Sequence, residues 1–413
     1  MNPYRALITE NRNYRLLWCG QIVSQLGDWF NSVALYALLL ELTGTATSVA
    51  LMIIVQFLPM AVIGPVAGVV VDRVNRRRLM IATDVMRGMA VLALLLVRRP
   101  DQVWIVYLVM GAVVSMTAFF EPARTAVIPN LTTRSQLLTA NALSSATWSA
   151  MLAIGAGLGG VVTALFGRNV AFVVNAVSFL ASAVIIARTS FDAAPPAVKR
   201  PAGWASLTGF GDLVEGIRYV RSDRHVAALM LVKAGWGIAG GVLLIMTVMG
   251  EGEFRMGGSA AAGIGVLYAA RGIGAGIGPI MARAWLGQQP DEMRRAIAPS
   301  YVLVALFYLM LSWSPSIYVA GAAVIGAHAA GSVLWVFSTV LLQMSVPDRF
   351  RGRVFSAEIA LLMIISAASS FACGYALDNW GASPFLLTRI LGALFILPTL
   401  GWLLIERRHF ARG

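Results

Sequence analysis

Residues 64–78, with the sequence GPVAGVVVDRVNRRR, decide how this chain folds. An apolar run with small residues at Gly64 and Gly68 continues directly into an acid, Asp72, and then into three arginines. Small residues let helices pack closely in a bilayer, where lipid provides no hydrophobic drive for association. Arginines cross a bilayer at high cost and keep their end of a helix in the cytoplasm. The stretch therefore predicts a membrane helix that ends at the cytoplasm beside an acid that insertion does not require.

The composition extends this prediction to the whole chain. Of the 413 residues, 58% are hydrophobic and 12% are charged, and the mean hydropathy is +0.76. A soluble domain carries about 25% charged residues. Apolar runs of about 18 residues or more, enough to cross roughly 30 Å of hydrocarbon, recur throughout. Because they lack the two-residue alternation of a membrane barrel, we predict an all-α membrane protein with twelve transmembrane helices. The predicted spans are Arg15–Leu42, Thr45–Val71, Leu79–Val97, Val103–Phe120, Thr139–Phe166, Asn169–Ala187, Val226–Met249, Ser259–Leu286, Met293–Ser312, Ser316–Gln343, Phe355–Trp380 and Pro384–Ile405.

The net charge of +13 is distributed in a regular way. Most of the 32 lysines and arginines fall in the two ends of the chain and in the even-numbered loops, and the other loops carry Arg98, Arg99, Arg168 and Arg255. Cytoplasmic loops are enriched in these residues, so both termini are predicted to be cytoplasmic. The basic charge thus reports membrane topology, and we expect no nucleic-acid partner.

The chain divides into two halves of six spans. Hydropathy falls between Arg188 and His225, where prolines and basic residues precede an amphipathic stretch near Leu207–Val220. We predict an N-terminal six-helix half over 1–188, a cytoplasmic linker with a surface helix over 189–225, and a C-terminal six-helix half over 226–413. Gly64-Pro65 recurs as Gly278-Pro279 at an offset of 214 residues, and two further glycines recur at the same offset. The halves are therefore interpreted as two pseudo-repeats.

The motif Gly68-x-x-x-Asp72-Arg73-x-Asn75 followed by three arginines resembles the loop 2–3 signature of the major facilitator superfamily. Asn75 stands where glycine is usual, and asparagine tolerates a left-handed turn. Residues 11–18, 121–124 and 347–353 resemble the branch that contains the enterobactin exporter and macrolide-efflux proteins. The resemblance implies the major facilitator fold, a bacterial plasma membrane location, a monomer, and transport of a small molecule between the two halves. Residues 155–160 also resemble the antiporter motif of drug exporters, with a close-packed helix crossing as the alternative reading.

Ionisable groups inside spans are costly and mark candidate functional sites. Asp28 lies near the middle of the first span, on a polar stripe that also contains Gln21, Ser24, Gln25, Asn31 and Ser32. Such a stripe faces either water or protein. We predict that Asp28 binds a proton or a cationic substrate, and the alternative is a structural seam of hydrogen bonds.

Further polar and aromatic groups inside the spans complete a candidate cavity. Lys233 and Arg271 lie in spans seven and eight, and Arg271 is predicted either to pair with Asp28 or to hold an anionic substrate. Three mid-span tryptophans offer apolar surface for a bulky substrate, or they simply pack in the core. The cavity candidates are Gln21, Gln25, Asn31, Lys233, Arg271, Trp148, Trp236 and Trp335.

A second group of charges is predicted to form an inner gate. The resemblance places Asp72 against the start of span eleven, where the positive end of a helix would attract it. A fixed network that only assists insertion is the alternative to a gate whose contacts form and break. The gate candidates are Asp72, Arg73, Asp84, Arg87, Arg124 and Glu358.

The sequence predicts a secondary transporter that exports a small amphipathic molecule, such as a drug, macrolide or siderophore, in exchange for protons. A lipid or lysophospholipid flippase on the same fold is the nearest alternative, and a non-transporting membrane receptor is the second. The three histidines lack metal-ligand spacing, no phosphate-binding loop is present, and no nucleophile–base set is visible. We therefore expect no cofactor, no metal, no use of ATP and no enzymatic activity.

Overall fold

The computed structural model describes residues 3–71, 73–133, 136–190, 218–285 and 289–409. These residues are almost entirely α-helical, and an isolated bridge between Met256 and Ser259 is the only β pairing among them. Eleven of their helices are long and apolar enough to cross a membrane. The helix at the first predicted span, with 32 residues, brings the number to twelve. Its polar stripe lowers its hydropathy. The prediction of twelve helical spans is thus confirmed.

The helices of the first half follow the predicted spans, with one short helix before them. They are α1 (Pro3–Glu10), α2 (Arg12–Thr43), α3 (Ala46–Val71), α4 (Arg76–Leu92), α5 (Val103–Leu131), α6 (Leu137–Phe166) and α7 (Arg168–Ala187). The short helix α1 buries Leu7 in a core that includes Tyr14 and Phe120. It was not predicted, since eight residues provide too short a pattern to identify.

In the second half, the described residues form eight helices that make up six spans. They are α8 (Arg224–Trp236), α9 (Gly240–Glu251), α10 (Ala260–Trp285), α11 (Pro290–Leu311), α12 (Ile317–Ser345), α13 (Asp348–Trp380), α14 (Pro384–Leu394) and α15 (Ile396–His409). A 3-10 turn at Gly237–Ala239 joins α8 and α9 into one span, and α14 and α15 form the last. Of the predicted linker, residues 191–217 lie outside the described residues, together with most of the predicted surface helix.

The chain separates into two units. The first comprises Met1–Thr43 and Val55–Phe210, and the second comprises Gly44–Ile54 and Gly211–Gly413. Helix α3 therefore begins in the second unit and ends in the first. Within the second unit, the Asp378 carboxylate caps the start of α3, accepting the Ala46 amide at 2.8 Å and the Thr47 amide at 2.7 Å. A carboxylate at this position satisfies helix-end donors and complements the positive end of the helix dipole.

The loop between α3 and α4 differs from its predicted form. Asn75 has φ −65° and ψ 109°, which is extended backbone, and its side chain accepts the Arg78 amide to cap α4. The expected left-handed turn is therefore wrong at this residue. An asparagine at an N-cap satisfies a free helix donor, which explains why it can replace glycine here.

The matched glycines of the two halves have different surroundings. A Cβ at Gly278 would collide with Ala329 and Ser332 of α12, so α10 and α12 cross closely there. At Gly64 and Gly68, no described atom lies within 4 Å of such a Cβ. Among the described residues, the close helix approach expected at Gly64 and Gly68 is not found, whereas the matched Gly278 has one.

Candidate functional site

Helix α2 carries the predicted polar stripe through the centre of the first unit. Gln21, Ser24 and Asn31 are buried, while Gln25 and Asp28 are half-buried. Glycines enclose the helix on two sides. A Cβ at Gly27 would come within 2.7 Å of Asn175 on α7, and a Cβ at Gly159 on α6 would lie 2.8 Å from the Phe30 Cα. The sides of α2 next to and opposite the stripe are therefore packed closely against α7 and α6.

Residues 155–160, which resemble an antiporter motif, contribute to this enclosure. Besides Gly159, Gly155 faces α2, where a Cβ would lie 2.8 Å from the Trp29 Cβ. Small residues at such positions allow two membrane helices to approach closely. The geometry supports the close-packed crossing as the structural role of these glycines.

Asp28 is the charged residue of the stripe, and its carboxylate lacks a partner among the described residues. Among the described residues, no hydrogen bond or ion pair reaches either carboxylate oxygen, although the charges of Arg87, Asp84 and Glu121 act on it. Its neighbour Asn31 donates a 3.5 Å hydrogen bond to the Met110 sulfur, and its own Oδ1 is buried without a partner. Polar groups in hydrocarbon are costly unless satisfied, so this face of α2 has unused capacity to bind a ligand or a proton.

The part of the stripe nearest the start of α2 belongs to a hydrogen-bonded network. Gln21 donates to the Ser144 carbonyl at 3.1 Å and to Gln25 at 3.5 Å, and it accepts a 3.0 Å hydrogen bond from Arg124. Arg124 also pairs with Glu121 at 2.7 Å, one helical turn earlier on α5. The predicted cavity residue Gln21 and gate residue Arg124 thus share one network inside the first unit.

Asp84 and Arg87 form a separate buried ion pair on α4. The Arg87 guanidinium lies 4.4 Å from the ring centres of both Phe120 and Phe179, and it donates to Thr117 at 3.3 Å. Two aromatic faces stabilise a planar cation, which lets an arginine remain charged away from water. Of the other gate candidates, Arg73 is exposed and Asp72 lies outside the described residues.

Glu358, the gate candidate of the second half, belongs to a buried ion pair. Within the second unit, its Oε2 accepts a 2.8 Å hydrogen bond from the Lys233 ammonium, joining α13 to α8. The side chains are 0% and 3% exposed. The Lys233 nitrogen also lies 4.7 Å from the Trp335 ring centre and 5.5 Å from that of Phe355. The structure thus joins one gate candidate, Glu358, to two cavity candidates.

The remaining candidates lie in aromatic surroundings. Trp148 is 40% exposed and makes an edge contact with Trp29, with ring centres 6.2 Å apart. Trp236 packs against Gly331 and makes an edge contact with His328 at 5.6 Å, so it has a core-packing role. Arg271 lies 5.9 Å from the Tyr268 ring centre. Among the described residues, no group of histidines, cysteines and acids is arranged to hold a metal.

The family follows from a match that covers most of the chain. Residues 17–359 match the model of the Major Facilitator Superfamily. The chain belongs to this superfamily. It is therefore a multi-pass membrane transporter, and the resemblance predicted from the loop 2–3 signature is confirmed.

Named relatives are similar at low identity. The putative bacilysin exporter BacE of Bacillus subtilis is 26% identical over 367 residues, covering 87% of each chain. Macrolide efflux protein A of Streptococcus pyogenes is 26% identical over 218 residues, covering 52% of this chain and 53% of that protein. A peptide transporter POT in complex with alafosfalin has the same fold, with a TM-score of 0.77, 13% identity, and coverage of 96% and 95% of the two chains.

Proposed function

We propose that this protein exports a small amphipathic molecule across a bacterial plasma membrane in exchange for protons. It would do so by alternating access, as a monomer with both termini in the cytoplasm. The observation that carries the proposal is the half-buried Asp28 carboxylate, which lacks a partner in the described structure. An acid enclosed by protein in a membrane span is poised to bind a proton or a cation.

The neighbourhood of Asp28 suits an amphipathic cargo. Gln25 and Asn31 provide hydrogen-bonding groups on the same helix, and Trp29 and Trp148 provide an aromatic surface. Ligand sites commonly combine apolar walls with a few polar groups that fix orientation. A cation on the cargo and a proton would compete for one carboxylate, which couples their movements in opposite directions. The named exporters among the relatives support export as the direction.

Flux in proteoliposomes tests this proposal. Purified full-length protein is reconstituted, and uptake of siderophores, macrolides, dyes and lysolipids is measured with and without an imposed pH gradient. We expect one amphipathic class to move in a gradient-dependent way. Flux that ignores the gradient would end the antiport proposal, and an absence of flux for every class would favour the receptor alternative.

Asp28→Asn separates proton coupling from binding. The amide keeps the size of the side chain but cannot take up a proton, so the variant should lose the effect of the pH gradient. Ser32→Ala is the matched control, because Ser32 bonds only to the Asp28 backbone carbonyl on the same helix at 2.9 Å. Normal coupling in Asp28→Asn would remove Asp28 from the mechanism.

A lipid flippase is the second candidate, and one cavity favours it. The second unit holds an apolar cavity of about 340 Å³, lined by residues such as Leu231, Ile238, Ile365, Pro398 and Trp402. Its hydroxyl-bearing residue, Tyr301, is already bonded to the Val232 carbonyl. An acyl chain would fit such a lining. Lysolipid movement that exceeds macrolide movement in the same assay would favour this function.

A further inference from the structure

We propose that Glu358 is a second proton-binding carboxylate of this transporter, and that the Lys233 ammonium stabilises its deprotonated form. The inference deepens the proposed function and rests on it for its role in transport. The pair would exist in two forms, one an ion pair and the other a protonated Glu358 beside the ammonium. In the second form a new O–H bond forms on Glu358, Lys233 keeps its protons, and the pair gains one positive charge.

The two oxygens of Glu358 have different surroundings. Oε2 accepts the Lys233 ammonium at 2.8 Å, while Oε1 is fully buried and lacks a hydrogen-bond partner among the described residues. A buried carboxylate oxygen without a donor is rare because the group loses its hydration without compensation. Protonation at Oε1 removes the negative charge that this oxygen holds without a donor, and the contact between Oε2 and Lys233 can persist.

The ammonium has contacts that do not depend on the carboxylate charge. Its nitrogen lies 4.7 Å from the Trp335 ring centre and 5.5 Å from that of Phe355. Aromatic faces attract a cation and do so more strongly away from water. Lys233 is therefore held in place when Glu358 becomes neutral, which is what a reversible site requires.

Few other charges face the pair. Among the elements packed on α13, helix α8 also carries Arg224 and His225 at its start, two turns or more before Lys233. Helix α9 carries Glu251 at its far end, where it pairs with Arg255 at 2.6 Å, and the 3-10 turn Gly237–Ala239 carries no charge. On α12, which supplies Trp335, the titratable residues are His328, two turns before Trp335, and Tyr318 in the first turn. On α13 itself, the arginines lie in the first two turns and Asp378 lies near the far end. Helix α15, which packs on α8, carries Glu406 and Arg407 near its end. Lys233 is thus the partner that sets the charge of Glu358.

The buried pair of the first unit provides the contrast. Asp84 also has a buried oxygen, Oδ2, without a hydrogen-bond partner among the described residues, so the two pairs differ in their cation. Asp84 pairs with an arginine, and a guanidinium stays charged at all accessible pH values. Arg87 is also clamped between two phenylalanine rings at 4.4 Å and bonds to Thr117. Its surroundings suit a permanent ion pair. Lys233 has a flexible stem and a compact ammonium, which suits a pair that changes its protonation.

Infrared spectroscopy tests the proposal without a transported substrate. Full-length protein in lipid is titrated over a wide pH range, and the absorption of protonated carboxyl groups is followed, with the proton as the only ligand. We expect Lys233→Met/Glu358→Gln, which removes both partners of the buried pair, to lose one component of this absorption, and Asp28→Asn to lose a different one. An unchanged titration in the double variant would overturn the proposal.

A double variant separates a proton site from a structural pair. Glu358→Gln alone leaves a buried ammonium without its carboxylate, which is strongly destabilising, whereas replacing both partners of a buried pair is often neutral. We therefore expect Lys233→Met/Glu358→Gln to fold, to exchange a radiolabelled macrolide for itself, and to lose part of its stimulation by a pH gradient. Full stimulation in the double variant would show that the pair is structural. Gradient-independent flux in the wild-type protein would defeat the proposed function alone, since the infrared result would stand.

Discussion

Asp28 and Glu358 are both acids within membrane spans, but they differ in burial and in hydrogen-bond partners. Asp28 is half-buried and without a partner in the described structure, so its carboxylate has unused capacity to bind a proton or a cation. Glu358 is fully buried and bonded to Lys233, so a proton can reach it only when its surroundings move. At the residue scale, we therefore propose ligand competition at the first acid and an internal proton site at the second.

Arg87→Lys tests whether the rings of Phe120 and Phe179 stabilise the Arg87 guanidinium. A lysine cannot stack on Phe120 and Phe179 as the planar guanidinium does. Loss of this stacking should lower the free energy of unfolding by about 1–3 kcal/mol. Thermal unfolding in detergent measures the effect. Arg99→Lys is the control, because Arg99 pairs with Asp101 where both side chains are more than 60% exposed, at 67% and 65%. Equal stability of the two variants would contradict the account.

The sequence identified the polar stripe on α2 because helical spacing is visible in a single segment. It could not identify the Lys233–Glu358 pair, whose members are separated by 125 residues, since partner choice depends on how α8 and α13 pack. The family resemblance instead predicts a gate with Asp72. The prediction of a left-handed turn at Asn75 is wrong for a related reason: asparagine suits both a left-handed turn and a helix cap, and only the backbone distinguishes them.

At the scale of elements, glycine positions determine which helices come close. Gly159→Ala should separate α6 from α2, since the added Cβ would lie 2.8 Å from the Phe30 Cα. We expect a loss of about 1–3 kcal/mol in unfolding free energy, as for other overpacked contacts. Gly64→Ala is the matched control, because no described atom lies within 4 Å of its new methyl group. A larger loss in the control would contradict the packing described for α3.

The start of α3 depends on a residue from a distant part of the chain. Asp378→Ala removes the acceptor of the Ala46 and Thr47 amides, so the free energy of unfolding should fall by about 0.5–2 kcal/mol. Asp378→Asn keeps one acceptor oxygen and should fall between the alanine variant and the wild-type protein. The midpoint of thermal unfolding measures both. Unchanged midpoints would show that this cap contributes no stability.

At the scale of the whole molecule, the distribution of basic residues predicts topology. In a variant without Cys19 and Cys373, single cysteines at Asp101 and Ser222 should lie on opposite sides of the membrane. A membrane-impermeant thiol reagent applied to intact cells should label the first and spare the second, and opened cells should allow labelling of both. The reverse pattern would place the termini outside the cytoplasm.

The central claim is that cargo and protons move in opposite directions through one protein. The most direct measurement starts with no pH gradient, a transported macrolide inside the proteoliposomes, and a pH-sensitive dye sealed with it. The proteoliposomes are then diluted into buffer without macrolide. Macrolide that leaves the lumen should be exchanged for protons that enter, so the lumen should become more acidic. Asp28→Asn should abolish this acidification. Macrolide efflux without acidification of the lumen would contradict the account.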